Sequence, residues 1–467
     1  MSMNLLPNED TIAAIATAQG EGGIAVIRMS GPQAPDIINK LLHNGTGIDS
    51  NKMDSHHLYH GFIKNPDTGK AVDEVLCVLM RAPNSYTGEN VAEIHSHGGY
   101  LVPKKILELL FKHGARPADP GEFSLRAFLN GKIDLAQAEA VSDVINAQTE
   151  EGLKQAEMQL EGVLSEKINT YKDIMLDLLA EIESQVDFPE EDIDPLVKKD
   201  IVSRTEGLIS EIGKLLATYE EGRILKYGVM TTILGKPNVG KSSLLNSLLM
   251  RERAIVSKHP GTTRDFIEES IDIRGIPLKL IDTAGIRAAT DHVEKAGIEL
   301  AKKKASEGEL LIAVIDGSAE LDQDDIEVLS EIKDKNAVLV INKSDLGLNV
   351  SDKELAKYIQ SDRLARTSAK KNTGIDELKD IILDSLINRE NHSKEGEIIL
   401  TELRHKSALE TSAESLKTFL KTFQIGESPE FSALDLRVAL NSLGEITGEV
   451  TTEDVLGRIF SKFCVGK

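Results

Sequence analysis

The chain has 467 residues, 40% of them hydrophobic, enough to build buried cores and too many for wholesale disorder. Aromatics make up 4%, Trp is absent and the formal net charge is −22, which argues against a base-stacking platform and against general attraction to phosphate backbones. Two cysteines, Cys77 and Cys464, are too few for a disulfide framework or a four-thiolate zinc site, and a reducing compartment fits them.

At roughly 150 residues per domain the length predicts about three domains, and three textures follow one another. Up to about Asn130, β-like runs at 23–28, 74–80 and 91–95 are punctuated by Gly, Pro and Asn, with a helical period around Ile106 to Leu110. His95 and His97 fall on one strand face; with no third ligand near in sequence they read as structural or pocket-lining residues rather than as a zinc pair. From Lys132 the texture turns helical. Apolar residues at 160, 164, 168, 171, 175, 178 and 182 predict one continuous helix face, stopping at Asp187-Phe188-Pro189. Glu190-Glu191-Asp192 reads as a solvated loop, and a second helical stretch follows at 196–221. From Tyr227, apolar runs at 227–234, 278–281, 310–315 and 337–341 alternate with helical segments, the pattern of a mostly parallel sheet covered on both faces. Helices return after Asn388, over 400–423 and 431–443.

The expected fold class is multidomain α/β. It has an N-terminal α+β domain (1–130), a helical domain in two parts (131–227 and 389–467) and an α/β domain (228–388) inserted between them. No run approaches the ~20 apolar residues of a membrane span, and the acids near the N-terminus do not suit a signal peptide. A soluble, cytoplasmic protein with no membrane partner is expected. The final Cys-Val-Gly-Lys has the length of a prenylation box without its chemistry.

The strongest motif is Gly235-Lys236-Pro237-Asn238-Val239-Gly240-Lys241-Ser242, which matches G-x-x-x-x-G-K-[ST] between an apolar strand and a helical run. Its glycines let backbone N–H groups approach phosphate, Lys241 offers a cation to the β and γ phosphates, and Ser242 offers a hydroxyl to Mg²⁺. Three motifs follow in order. In Asp282-Thr283-Ala284-Gly285 the carboxylate can reach Mg²⁺ through water and Gly285 can present its N–H to the γ phosphate. In Asn342-Lys343-Ser344-Asp345 the last carboxylate can accept from guanine N1–H and N2–H₂, a donor pair adenine lacks. Thr367-Ser368-Ala369 can bring a backbone N–H to guanine O6. Together these four resemble the Ras-like GTPase superfamily and specify GTP. Ile286 stands where many such enzymes place a water-orienting glutamine, so catalytic help must come from elsewhere.

Gly261-Thr262-Thr263-Arg264-Asp265, together with segments along the whole chain, resembles the MnmE (TrmE) family of tRNA-modification GTPases. The segments include Gly22 to Arg28, Thr87 to Glu93, Pro120 to Ser124, Asp134 to Ala140, Glu445 to Glu449 and Phe463 to Lys467. The resemblance implies a Ras-like P-loop G domain and an N-terminal domain like the folate-binding domains of one-carbon enzymes. It implies GTP contacts from Asn238 to Ser243 and from Ser257-Lys258-His259-Pro260-Gly261-Thr262-Thr263, besides the motifs above. It further implies a K⁺ cage from Asn238, Ser257, His259 and Thr262, with Mg²⁺ on Ser242 and Thr263. Lys241 and Asn238 would serve catalysis with Glu294, the water-orienting acid that supplies what Ile286 cannot. A tetrahydrofolate derivative, 5-formyl-tetrahydrofolate-like, would meet Arg28, Glu93, Lys132 and Lys467. Also implied are a homodimer, and a partner, MnmG, that brings FAD; the net charge of −22 fits a division of labour in which that partner holds most of the tRNA backbone. With it the family places an aminomethyl or carboxymethylaminomethyl group on C5 of the wobble uridine. Two alternatives are a ribosome-assembly GTPase and a folate-dependent one-carbon transferase with a regulatory G domain. The first would be expected to append a basic RNA-binding module, where this chain ends in acidic helices. Cys464 can be a nucleophile in principle, but no sequence feature depresses its pKa, and the tail reads as docked with Lys467 as its functional residue.

Overall fold

The computed structural model describes residues 10–18, 20–43, 49–187, 195–251, 269–281, 308–387 and 396–467. Two compact units result: Met1–Ser142 with Leu160–Lys172 and Leu440–Lys467, and Asp143–Gln159 with Asp173–Ala439. The chain opens with β1 (Thr11–Ile15), β2 (Ile24–Ser30), α1 (Ala34–Leu41), β3 (Leu42–His43), β4 (Leu58–Lys64), β5 (Ala71–Met80) and β6 (Val91–His97). There follow α2 (Leu101–Lys112), β7 (Ala115–Pro117), α3 (Glu122–Leu129), α4 (Leu135–Asn146), α5 (Glu150–Leu160), α6 (Val163–Asp187), α7 (Pro195–Ala217) and α8 (Tyr219–Tyr227). Next come β8 (Val229–Leu234), α9 (Lys241–Arg251), β9 (Glu269–Ile273), β10 (Ile276–Leu280), β11 (Leu310–Asp316), α10 (Gln323–Ile332) and β12 (Ala337–Asn342). The described elements end with α11 (Asp352–Leu355), β13 (Leu364–Arg366), α12 (Ile375–Leu386), α13 (Leu403–Ile425), α14 (Pro429–Thr447) and α15 (Glu453–Phe460).

In the first unit β1 to β7 form one sheet in the order β3-β4-β5-β6-β2-β1-β7, antiparallel except where β7 joins β1. Alternation sorts its faces: on β2, Ala25, Ile27 and Met29 are buried while Val26 and Arg28 occupy the other side. The buried side packs with Ile37, Ile38 and Leu41 of α1 and Ile106 and Leu110 of α2 around Cys77. Burial pushes the Cys77 thiol up to about 12, leaving a core side chain and not a nucleophile. Strand register sets Arg28 directly opposite Glu93.

Below the N-terminal strands in sequence, Arg126 of α3 binds the carboxylates of Asp10, Glu89 and Glu122, at 2.6, 3.1 and 3.0 Å. Arg116 holds Glu122 and Asp10 from another side, each at 2.5 Å.

In the second unit the sheet order is β13-β12-β11-β8-β10-β9, parallel except for β9 against β10. The runs at 310–315 and 337–341 are buried residue by residue. One side of each meets Leu244, Leu248, Leu378 and Ile382, and the other meets Leu329, Ile332 and Leu355. That two-sided burial is why these strands read as unbroken apolar runs.

Two helical expectations are corrected. The continuous face from Leu160 to Ile182 is two helices, because Gly162 takes a left-handed φ of +92° between α5 and α6. Residues 164, 168, 171, 175, 178 and 182 are all buried on α6. Tyr227 ends α8 instead of opening the strand, since Gly228 turns the chain at φ +71° with its α-carbon packed against Pro277. Phe188, Pro189 and the acidic run after them lie outside the described residues.

Residues that precede the α/β part in sequence meet residues that follow it at one cluster. Lys226, at the end of α8, binds Asp143 of α4 at 2.5 Å and also Glu402, the residue just before α13. Burial opposes the ammonium, but the two carboxylates outweigh it and its pKa rises. Beside it, the Leu400 N–H donates to the Thr218 hydroxyl at 3.1 Å, and the Leu400 carbonyl lies so close to Gly222 that a Cβ there would approach it to 2.1 Å.

Candidate nucleotide-binding site

Ligands of parallel α/β sheets bind beyond the carboxyl ends of the strands, and the sequence motifs gather there. Residues 235–240 link β8 to α9, whose N-terminus carries Lys241. The loop is tightly folded: Gly235 has φ +149°, Asn238 +64° and Gly240 +100°. A Cβ on Gly240 would lie 2.3 Å from the Asn342 amide nitrogen, so only glycine fits. The Lys241 ammonium donates to the carbonyls of Gly235 and Lys236 at 2.6 and 2.8 Å. Burial pushes its pKa down. A desolvated cation resting on carbonyls at a helix N-terminus is suited to a polyphosphate, which would return the missing counter-charge.

Asn342 ties the site together. It is buried, donates to the Val239 carbonyl at 2.8 Å, and accepts from the Ala369 N–H at 3.1 Å and the Thr367 hydroxyl at 3.3 Å. The phosphate loop, the end of β12 and the 367–369 loop are thereby held by one side chain. Asp345 accepts from the Ser368 hydroxyl at 2.7 Å, and that bond holds its carboxyl below the usual range, an ionised acceptor at neutral pH. Lys343 has φ +62° and its ammonium lies 2.6 Å from Asp316.

Two braces were not anticipated from sequence. Asp316 closes β11 and also accepts from the Ser318 N–H and hydroxyl, at 3.0 and 2.6 Å. Lys236, at a variable position of the phosphate loop, binds Asp322 and Asp325 at the start of α10, at 2.6 and 2.7 Å. Asp316 had a signal, an acid at the end of an apolar run; Lys236 had none. Of the other expected residues, Ser242 and Ser243 lie in the first turn of α9. Ser257, Lys258, His259, Pro260, Gly261, Thr262, Thr263, Asp282, Thr283, Ala284, Gly285, Ile286 and Glu294 lie outside the described residues.

The second cluster is in the first unit. Arg28 binds Glu93 at 2.8 Å, reaches the Gly466 carbonyl at 3.4 Å, and lies over the rings of Tyr86 and Phe123 at 5.5 and 5.8 Å. The tail docks by backbone: the Gly121 N–H donates to the Cys464 carbonyl at 3.4 Å and the Phe123 N–H to the Lys467 carbonyl at 3.2 Å. Gly466, at φ +99°, passes so close to Ile15 that a Cβ would meet its carbonyl at 2.7 Å. Burial first, then the charge of Arg28, pushes the Lys467 ammonium down in pKa, with Glu93 opposing. Arg28, Glu93 and Lys467 are thus brought together. Lys132 instead donates to the Pro83 carbonyl at 3.2 Å.

The family profile described as the MnmE helical domain matches residues 135–464, and that of the GTP-binding protein TrmE N-terminus matches 11–132. The tRNA modification GTPase MnmE of Thermoanaerobacter pseudethanolicus is 44% identical over 458 residues, 98% of this chain and 99% of the relative. The chain belongs to the MnmE family. MnmE of Geobacter sulfurreducens is 46% identical over 459 residues, again 98% of this chain and 99% of the relative. Among solved structures, the G domain of FeoB from Methanococcus jannaschii is 26% identical, with a TM-score of 0.25, covering 34% of this chain and 97% of its own. In MnmE terms, the helical profile runs from α4 to the tail with the six-stranded sheet inside its span.

Proposed function

We propose that this MnmE-family chain hydrolyses GTP with Mg²⁺ and K⁺. Together with the FAD protein MnmG it would install an aminomethyl or carboxymethylaminomethyl group on C5 of the wobble uridine of certain tRNAs. Membership in the family makes it a GTP hydrolase acting in tRNA modification. The observation that carries the nucleotide reading is Asn342, which locks the phosphate loop to the two loops that would hold the base. In this reading 228–388 is the G domain, 1–130 a folate-binding-like domain, and 131–227 with 389–467 the helical domain. Lys241 offsets phosphate charge, Ser242 and Thr263 hold Mg²⁺, and Glu294 orients water. K⁺, on Asn238, Ser257, His259 and Thr262, adds positive charge beside the phosphates. The chain works as a homodimer in the cytoplasm; among the described residues no helix is long and apolar enough to cross a membrane.

Hydrolysis is expected to run at least about tenfold faster in KCl than in NaCl at equal ionic strength, within the ~10³–10⁵ an arginine finger supplies. The gain should vanish in Asn238→Ala. Equal wild-type rates in the two salts would refute the K⁺ role.

The cluster of Arg28, Glu93 and Lys467 supports a folate site: a carboxylate suits the amino group and ring N–H of a pterin, and cations suit a glutamate tail. Removing residues 464–467 is expected to abolish binding of 5-formyl-tetrahydrofolate, measured by calorimetry, and to leave basal GTP hydrolysis in place. Normal folate affinity without the tail would remove Lys467 from the site.

A further inference from the structure

Two of the donors of Lys241 are already spent. Of the three N–H groups on its ammonium, one goes to the Gly235 carbonyl at 2.6 Å and one to the Lys236 carbonyl at 2.8 Å. The remaining N–H is what a phosphate oxygen can use, and its direction is set by where those two carbonyls stand. Gly235 is held by contact: a Cβ on it would lie 2.4 Å from the Val314 carbonyl of β11. Lys236 is held by its own side chain, which leaves the loop and ends on Asp322 and Asp325 at 2.6 and 2.7 Å. The second half of the loop has a separate hold, Asn342 on the Val239 carbonyl.

The receiving end is built without need of the lysine. Asp322 caps α10 by accepting from the Asp325 N–H at 3.0 Å, and the Asp325 carboxylate accepts from the Asp322 N–H at 3.3 Å, a reciprocal capping box. Further along the same helix, Leu329 and Ile332 are buried with Ile315 and Leu339. The box already serves the helix end, so what the lysine fixes is the loop. The Asp325 carboxylate is 3% exposed, and its Oδ1 is buried with no donor among the described residues. It leans on Lys236 for its counter-charge, which makes the link costly to break from either side.

We propose that Lys236 is a positioning residue for the phosphates: anchored on the start of α10, it holds its own carbonyl in place as one of the two rests that aim the Lys241 ammonium. The proposal rests on the phosphate-loop reading of residues 235–242. The charge of Lys236 is shared between two carboxylates, so its part is mechanical. Loss of the anchor lets Lys241 tilt, and its contacts with the β and γ phosphates weaken while the rest of the nucleotide is held as before.

The test is titration of the full chain, with Mg²⁺, using GDP and GMP, which carries neither a β nor a γ phosphate. Lys236→Met is expected to weaken GDP by about tenfold, the loss of one charge-assisted hydrogen bond, and to leave GMP little changed. Lys236→Arg, which can still reach the carboxylates, should restore GDP. Lys236→Met with Asp325→Asn returns the local net charge to that of the wild type without the anchor, and should stay weak. Asp322→Asn keeps a good cap but removes one charged partner, and should give a smaller loss with the same selectivity. Wild-type GDP affinity in Lys236→Met, an equal loss for GMP, or recovery in the double variant would each overturn the proposal, the last by showing that the lysine only shields phosphate from the carboxylates. Wild-type protein that binds GDP no more tightly than GMP would overturn the phosphate-loop reading instead, so the two failures are distinguishable. Thermal melts show which variants are folded; if Lys236→Met is not, Asp322→Asn decides, and wild-type GDP affinity there would overturn the proposal.

Discussion

Asp345→Asn is expected to lower affinity for GTP and GDP by roughly 10³-fold or more and to erase the preference for guanine over adenine nucleotides. The carboxylate is 10% exposed and accepts from the Ser368 hydroxyl, which lowers its pKa, so both oxygens are acceptors aimed from a fixed loop. An amide can accept with one atom only; its NH₂ would face the guanine amino group, donor against donor, with little water to relieve it. The same amide suits xanthine, whose C2 oxygen accepts. Titrations with GDP, ADP and xanthosine diphosphate should show the first falling, the second unchanged and the third rising. An unaltered ratio of GDP to ADP affinity would remove Asp345 from base recognition.

Arg126→Met should be the most destabilising of the single substitutions considered, by about 3–5 kcal/mol, the range for breaking a buried ion pair from one side. Arg126 is 8% exposed and serves three carboxylates. Arg116 still covers Glu122 and Asp10 in the variant, and Asp10 at 35% exposure is partly hydrated, which favours the lower end. Glu89 loses its arginine outright. Burial raises the pKa of Asp10 and Glu122, but their arginines outweigh it and both end below the ordinary carboxylate values of 3.8 and 4.5. The stability from these pairs is therefore complete above those ordinary values and is lost as pH falls through the depressed ones. In Arg126→Met the acid transition should begin at higher pH. Urea unfolding at neutral pH and at a series of acid pH values measures both effects; a variant with unchanged midpoint and unchanged acid limb would show the network to be dispensable.

The α/β part was legible because its strands are buried on both faces, which leaves apolar runs with little ambiguity, and because phosphate-loop chemistry dictates glycines at fixed spacing. The break at Gly162 was not legible. Residues 160 and 164 keep a four-residue step whether or not the helix continues, so periodicity passes over a left-handed glycine. Tyr227 was misplaced for a similar reason, as its apolar ring continues the strand-like run while Gly228 turns the backbone. At the site, motif residues were readable, but braces that pair distant charges were not. Lys236 meets Asp325 from 89 positions away, and no local pattern encodes that meeting. Arg28, Glu93 and Lys467 were legible through resemblance alone; what joins them is the register of β2 on β6 and a tail that returns from the far end of the chain.

The cluster at Lys226 and Glu402 bears on the order in which the chain folds. Thr218 and Leu400, hydrogen-bonded there, are 182 positions apart, and bringing such ends together costs entropy that grows with the logarithm of the free loop. If the six-stranded part forms first, the free loop collapses to the short gap between its own first and last elements. The helices before and after it then meet almost as sequence neighbours. The lysine, with a carboxylate from each side of the gap, would close that circle, so that a large insertion adds little to the search the surrounding helices must make.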